Sequence, residues 1–359
     1  MDFLIWLAAW VGLVLLIRRM GATGEAQVED AVVPASYSAN FPLVSIVVPA
    51  RNEAGNLPRL LASLNKLSYP AREVIVIDDQ STDGTAEIAR QHGAKVIAGT
   101  PPPTDWRGKQ WACAQGARAA QGEILLFTDA DTEHFPSSLE RAVEFLNRRQ
   151  LDMMSCLPYH RCQELWEKLM GPFHFMLLST TNPYGRPAPG KVYAIGQYLM
   201  FRRSFYDEIG GHGAVRGEMV EDLPLANVCL LADKKYGVYG AAPLFEVRMY
   251  ETLGDFIKGW RRNFRAGMTG SRKAAVVEMF LVIAAMTGGG HPFRSIWWFL
   301  PAGLSAIFLW MRQSRLGNFS PWGPVLSCWS VAIFCYVSVL AAMDQTLGRS
   351  LVWKGRAYK

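Results

Sequence analysis

Two aspartates one residue apart, Asp129 and Asp131, close the apolar run "ILLFTDAD". Carboxylates at the end of a buried strand are hard oxygen donors, suited to a divalent cation that keeps positions open for a diphosphate. The same stretch, with Thr132 and Glu133, also reads as the capped, acidic start of a helix. Other strand ends are charged in the same way. Arg51 and Glu53 follow "VSIVVP", and Asp78 and Asp79 follow "VIVI". A carboxylate there can accept N–H groups of a nucleobase, and Glu53 can take ribose hydroxyls, although "DDQSTDGT" is equally good turn chemistry.

The elements that must position these groups alternate. "PLVSIVVPARNE" predicts a buried strand over Val44–Val48 that Pro49 stops. Leu57, Leu60, Leu61 and Leu64 then recur at helical spacing. A second strand, Val74–Ile77, leads to a capped helix ended by Gly93. "AKVIAG" is a third strand, and a proline-rich loop and the helix "QWACAQGARAAQG" lead into the fourth, "EILLFTDAD". Strand–helix alternation with continuously apolar strands predicts an α/β fold, a mostly parallel sheet with helices on both faces. Ligands of such sheets bind beyond the carboxyl ends of the strands, where all these polar clusters fall.

Half of the 359 residues are hydrophobic, and they are unevenly spread. Met1–Ile17 is almost wholly apolar and is followed by Arg18 and Arg19. Apolar blocks return over Ala274–Gly290, Ile296–Trp310 and Trp322–Met343. The first and last are long enough to cross a bilayer, which takes roughly 20 residues. Asp2 before the first block and two arginines after it fit an uncleaved anchor with a cytoplasmic central domain. The expected organisation is a membrane anchor over 1–19, a linker over 20–41, a cytoplasmic catalytic domain over 42–270, membrane segments over 271–345 and a basic tail over 346–359. Such a chain is a multi-pass protein of the inner (plasma) membrane. The net charge of +6 suits an anionic membrane face. No basic stripe interleaved with aromatics appears, which argues against nucleic acid. The six cysteines show no CxxC spacing, so neither a disulfide framework nor a zinc site is expected.

"VSIVVPARNE", "VIDDQSTDGT" and "LLFTDAD", in that order, resemble the nucleotide-sugar domain of family 2 glycosyltransferases, which have the GT-A fold. "GEMVEDLPLANVCLLADKKYGVYG" resembles that family's Glu-Asp segment and following helix. "TDWRGKQWA" and "WKGRAY" look like its membrane-anchored branch associated with bacterial carotenoid and hopanoid lipids. The resemblance implies Asp79 at uracil or another base, Glu53 near the ribose, Asp129 near the sugar or ribose, and Asp131 on Mg2+ or Mn2+. Pro49 and Arg51 complete the first strand's share of a nucleotide-sugar site. Asp222, preceded by Glu221, would be the general base. The implied activity is inverting transfer from a nucleoside diphosphate sugar, UDP-sugar favoured, to the hydroxyl of a lipid acceptor of isoprenoid, carotenoid or hopanoid type.

Lys109 stands at a loop-to-helix junction where an anion is favoured; a solvated surface lysine is the alternative. Arg261 and Arg262, in "IKGWRRNFRAG", could neutralise diphosphate or lie on a basic amphipathic helix at the membrane. The chain lacks the Gln-x-x-Arg-Trp order of the family's processive synthases. His160, His174 and His212 have no metal-ligand spacing, and the glycine-rich loop around His212 could close over an acceptor. Glu164–Gly185 is apolar and aromatic enough for core or for an interfacial helix. Transfer to a polyprenyl phosphate, or a nucleotidyltransferase on a similar sheet, is the rival chemistry. A dehydrogenase would need a glycine-rich fingerprint after the first strand, where "PARNEAGN" stands instead. A non-enzymatic membrane protein would need no carboxylates at three strand ends.

Overall fold

A computed structural model describes residues 2–21, 41–183, 187–188, 192–218, 220–240, 244–267, 273–288, 296–349, 351–353 and 356–358. In chain order the strands are β1 (Val44–Ala50), β2 (Arg72–Asp78), β3 (Lys95–Ala98), β4 (Ile124–Thr128), β5 (Thr132–His134), β6 (Met153–Leu157), β7 (Tyr159–His160), β8 (Tyr198–Arg202), β9 (Tyr236–Gly240), β10 (Phe245–Val247), β11 (Leu351–Trp353) and β12 (Arg356–Tyr358). The helices are α1 (Asp2–Gly21), α2 (Leu57–Asn65), α3 (Thr85–Gln91), α4 (Gly108–Ala119), α5 (Ser138–Arg148), α6 (Leu165–Lys168), α7 (Gly171–Thr181), α8 (Arg203–Glu208), α9 (Asp222–Leu231), α10 (Leu253–Gly267), α11 (Lys273–Thr287), α12 (Ile296–Gln313) and α13 (Ser327–Thr346). The chain divides into two compact units, residues 26–159 with 186–247, and residues 1–25 with 160–185 and 248–359. The span expected as one catalytic domain over 42–270 is thus shared between them. The linker expected over 20–41 lies almost wholly outside the described residues, as do Lys354 and Lys359 of the basic tail.

The first unit is built on a seven-stranded sheet in the order β3-β2-β1-β4-β8-β6-β9. β1, β2, β3 and β4 run parallel, as do β6 and β9, while β8 runs antiparallel to both its neighbours. Side chains alternate across a strand, so β1 feeds two cores. Val44, Ile46 and Val48 face Leu60, Leu61 and Leu64 of α2 and Val143 and Leu146 of α5. Val47 faces the other way, with Ile75, Ile77, Leu125 and Phe127, against Ala112 and Cys113 of α4 and Leu225 and Ala226 of α9. Truncating any such leucine to alanine would cost about 2–5 kcal/mol.

Pro49 does not stop β1, which runs on to Ala50. The Val44 N–H bonds to Ala71 in the β2 direction, so odd-numbered residues of β1 turn theirs toward β4. Pairing with β4 ends at Val47, and a proline at 49 therefore forfeits no ladder bond.

In the second unit the four apolar blocks become α1, α11, α12 and α13. Among the described residues one helix, Ser327–Thr346, is long and apolar enough to cross a membrane. α1 and α11 pack so closely that a Cβ at Gly12 would meet the Leu281 carbonyl. Arg19 bonds to Glu278 (2.6 Å) and to the Ser179 carbonyl. The apolar stretch expected as core or interfacial helix forms α6 and α7, and Phe173, Phe175 and Met176 of α7 are buried. Phe173 packs in a ring cluster with Phe256, Trp260 and Phe264 of α10 and Phe334 of α13.

Candidate active site

The first charged loop is tied to the second. Asn52 takes a left-handed backbone (φ 53°), which asparagine tolerates better than most residues. Its Oδ1 accepts the Thr82 N–H at 2.8 Å, and its own N–H donates to Ser81 Oγ. The Glu53 N–H donates to Thr85 Oγ1, and the Ala54 N–H to Asp83. Arg51 donates to the Asp79 carbonyl at 2.7 Å, and Asp79 itself is buried. The expected base-and-ribose residues Pro49, Arg51, Glu53 and Asp79 therefore share one rim of the sheet.

Asp129 and Asp131 do not start a helix. A short strand, β5, follows them at once and pairs with β10. The capping reading fails because Thr132 turns its hydroxyl back onto the Asp129 carbonyl (2.8 Å) and the chain stays extended. The turn is braced from beneath. Thr128 donates its hydroxyl to the Gln197 carbonyl, so the buried His134 presents an Nε2–H to Thr128 Oγ1 at 3.1 Å. Burial alone pushes His134 down to about 3.

Lys109 is not a solvated lysine. Its Nζ lies 2.8 Å from Asp129 Oδ1 and 2.8 Å from Glu221 Oε1. Asp222, the first residue of α9, accepts the Leu223 N–H on Oδ1 (2.8 Å) and the Gly196 N–H on Oδ2 (3.0 Å). A Cβ at Gly196 would come within 2.7 Å of Glu221 Oε1 and 3.0 Å of Lys109 Nζ, so those two side-chain ends would have to move aside. His212, expected in a closing loop, is instead buried in a 3-10 turn (Gly211–Val215) and bonded to the Tyr206 hydroxyl. Its Nε2 is buried without a partner.

Charge is out of balance here. Burial, then the charges of Asp129 and Glu53, push Asp131 up to about 7. Burial, then Glu221, push Asp222 up to about 7. Glu221 is also raised by burial, but Lys109 and His212 bring it below its ordinary value. Asp131 Oδ1 is buried with no hydrogen-bond partner. Among the described residues no three metal-ligating side chains converge. An all-oxygen donor set with one unmet oxygen fits a hard divalent cation that takes its remaining ligands from phosphate and water.

Arg261 and Arg262 belong to the other unit, on α10, where Arg261 grips Asp344 with both arms of its guanidinium. Gly196 and the bridging role of Glu221 and Lys109 were not read from the sequence. A lone glycine before a strand is a weak signal, and the three residues come from separate segments.

The architecture is that of an α/β transferase of the GT-A class, with acidic residues gathered beyond the strand ends. The profile of "Glycosyl transferase family 2" matches residues 45–210. The 4,4'-diaponeurosporenoate glycosyltransferase of Staphylococcus haemolyticus (strain JCSC1435) is 33% identical over 255 residues, 68% of this chain and 66% of that protein. The enzyme of the same name from Staphylococcus aureus (strain USA300) is 30% identical over 341 residues, 89% of each chain. The chain belongs to glycosyltransferase family 2 and is an enzyme of that class, with homologues in its carotenoid branch. A solved mannosyltransferase from Pyrobaculum calidifontis, in complex with GDP-Man and Mn2+, shares the fold with a TM-score of 0.52 at 17% identity, covering 95% of this chain and 99% of that one.

Proposed function

We propose that this chain transfers a sugar, with inversion, from a nucleoside diphosphate sugar, UDP-sugar favoured, to a carotenoid-type or related isoprenoid lipid at the inner membrane. The observation that carries the reading is the continuous cluster Asp131–Asp129–Lys109–Glu221–Asp222. It joins a cation-suited oxygen to a carboxylate suited to act as base. Pro49, Arg51, Glu53 and Asp79 hold the base and ribose, and Lys109 and Asp129 lie toward the sugar and diphosphate. Asp131 would hold Mg2+ or Mn2+, which when bound stabilises the charge developing on the departing diphosphate. Asp222 is aimed by two backbone N–H groups, and with its pKa near neutrality it can take a proton from a hydroxyl as that oxygen attacks the sugar. Arg261 and Arg262, on α10 of the helical unit, are candidates for contact with lipid.

The membrane part of the proposal leans on the apolar helices. α13 has the length and composition of a span. α1 and α12 turn large apolar side chains outward, among them Phe3, Leu4, Ile307 and Trp310. An exposed surface this apolar calls for lipid or protein cover. Arg18 and Arg19 at the end of α1 favour a cytoplasmic central domain under the positive-inside bias.

The relatives' name gives a second reading of the nucleophile. An "-oate" acceptor offers a carboxylate, which is already ionised near neutral pH and needs no base. One experiment separates the two. Detergent-solubilised enzyme is given a panel of nucleotide sugars with hydroxylated and carboxylated carotenoids, with Mn2+ or EDTA. Transfer should vanish with EDTA and in Asp131→Ala. Asp222→Asn should lose about 10²–10⁴-fold on a hydroxyl acceptor and far less on a carboxylate one. A folded enzyme that binds no nucleotide sugar in the panel would remove the glycosyl-transfer proposal.

A further inference from the structure

Lys109 occupies a place that donor binding alone does not explain. Its ammonium is shared between Asp129, on the donor side of the cluster, and Glu221, beside the proposed base. Gly196 closes the same spot from above. Its N–H holds Asp222, and the absence of its side chain lets Glu221 and Lys109 approach. The groups facing Asp222 are Glu221 from the preceding residue, Lys109 from α4, and the N–H groups of Gly196 and Leu223; His212 faces Glu221 from the 3-10 turn.

We propose that Lys109 is a positioning residue for Asp222. It holds Glu221 in place and neutralises it, so that a second carboxylate can ionise next to it. Two carboxylates on adjacent residues repel each other, and within a partly enclosed site only one ionises readily unless a cation is shared. Glu221 is the member that Lys109 contacts directly, so it stays charged, and Asp222 is left as the group that trades its proton. The lysine thereby links the two halves of the site. A change at Asp129 alters how much of its charge reaches Glu221, and through Glu221 it alters Asp222.

The consequence for catalysis rests on the proposed function, but the test does not. Infrared difference titration of the full chain in detergent follows the protonated carboxyl band that Asp222→Asn removes. In Lys109→Met the midpoint of that band should rise by about one pH unit or more, because an opposite charge at this range lowers a carboxylate by about 1–3 units. Lys109→Arg, which keeps the charge, should leave it within a few tenths of a unit and guards against a folding defect in the methionine variant. A midpoint that stays put or falls in Lys109→Met while Lys109→Arg is folded would overturn the proposal. With a hydroxyl acceptor, the acid limb of kcat/KM should move by the same amount in Lys109→Met. A uniform loss at every pH, with the limb unmoved, would mark Lys109 as a donor ligand or structural residue only. If wild type transfers no sugar, the proposed function fails and the infrared midpoint still decides the role of Lys109.

Discussion

Among the described residues of the helical unit, several charges meet their opposites. Arg19 pairs with Glu278, Arg248 with the buried Glu167, and Asp344 sits between Arg261 and Arg349. In the sheet unit Asp129, Asp131, Glu221 and Asp222 gather around Lys109, and an oxygen of Asp131 is left unmet. Pairing removes the desolvation cost of each ion and leaves nothing for a ligand to do. An unbalanced acidic cluster keeps that cost in the folded state, where an incoming cation or a proton can relieve it. The first arrangement holds helices together, and the second leaves a ligand something to do.

Substitutions that move one region toward the other should sharpen this contrast. The largest effect is expected at Gly196. Alanine there would push the ends of Glu221 and Lys109 aside, and a displacement near 1 Å at a reacting geometry costs about 10²-fold in rate. Steady-state transfer assays should show this loss in Gly196→Ala with little change in thermal unfolding. Glu278→Ala should do the reverse. It leaves Arg19 without its half-buried partner, at a cost of about 1–3 kcal/mol in stability, seen as a lower unfolding midpoint with kcat per folded molecule unchanged.

The smallest effect concerns pH. Asp222 is raised to about 7 in the folded chain from an ordinary 3.8. Between these values the folded state binds the extra proton, so the contribution of Asp222 is full below about pH 4 and is lost as pH rises through 7. Asp222→Asn has no charge to bury. Its stability relative to wild type should rise by on the order of 1 kcal/mol between pH 4 and pH 8, on top of a pH-independent cost of setting its NH2 against one of the two backbone N–H groups that Asp222 accepts. A difference that does not change between pH 4 and pH 8 would mean that the cluster is balanced after all.

Much of the framework of the proposed donor half was legible. The apolar runs before Arg51, Asp79 and Asp129 became β1, β2 and β4, because short continuous apolar runs and the turn residues after them are local signals. Gly93 ends its helix with a φ of 81°, as a C-terminal glycine should. The acceptor half was legible only as "VEDLP", a segment whose resemblance singled out Asp222 while leaving Glu221 without a task. The capping alternative for Asp131 could not be settled from the string, since Thr132 can cap a helix or, as here, fold its hydroxyl back to hold an extended turn. His212 sits among glycines and reads as loop, but packing against Phe127 and Tyr206 buries it.

The sequence by itself determined that carboxylates follow apolar strands, and that long apolar runs precede and follow this region in the chain, because turn chemistry and hydrophobic run length are properties of neighbouring residues. Tertiary structure decided that Lys109, Gly196 and Glu221 meet. They come from a loop-to-helix junction, a turn before an antiparallel strand and a helix start, and only the register of β4 against β8 and the packing of α4 and α9 on one face bring them together. Charges couple through space, over a few ångströms, without regard to their separation along the chain.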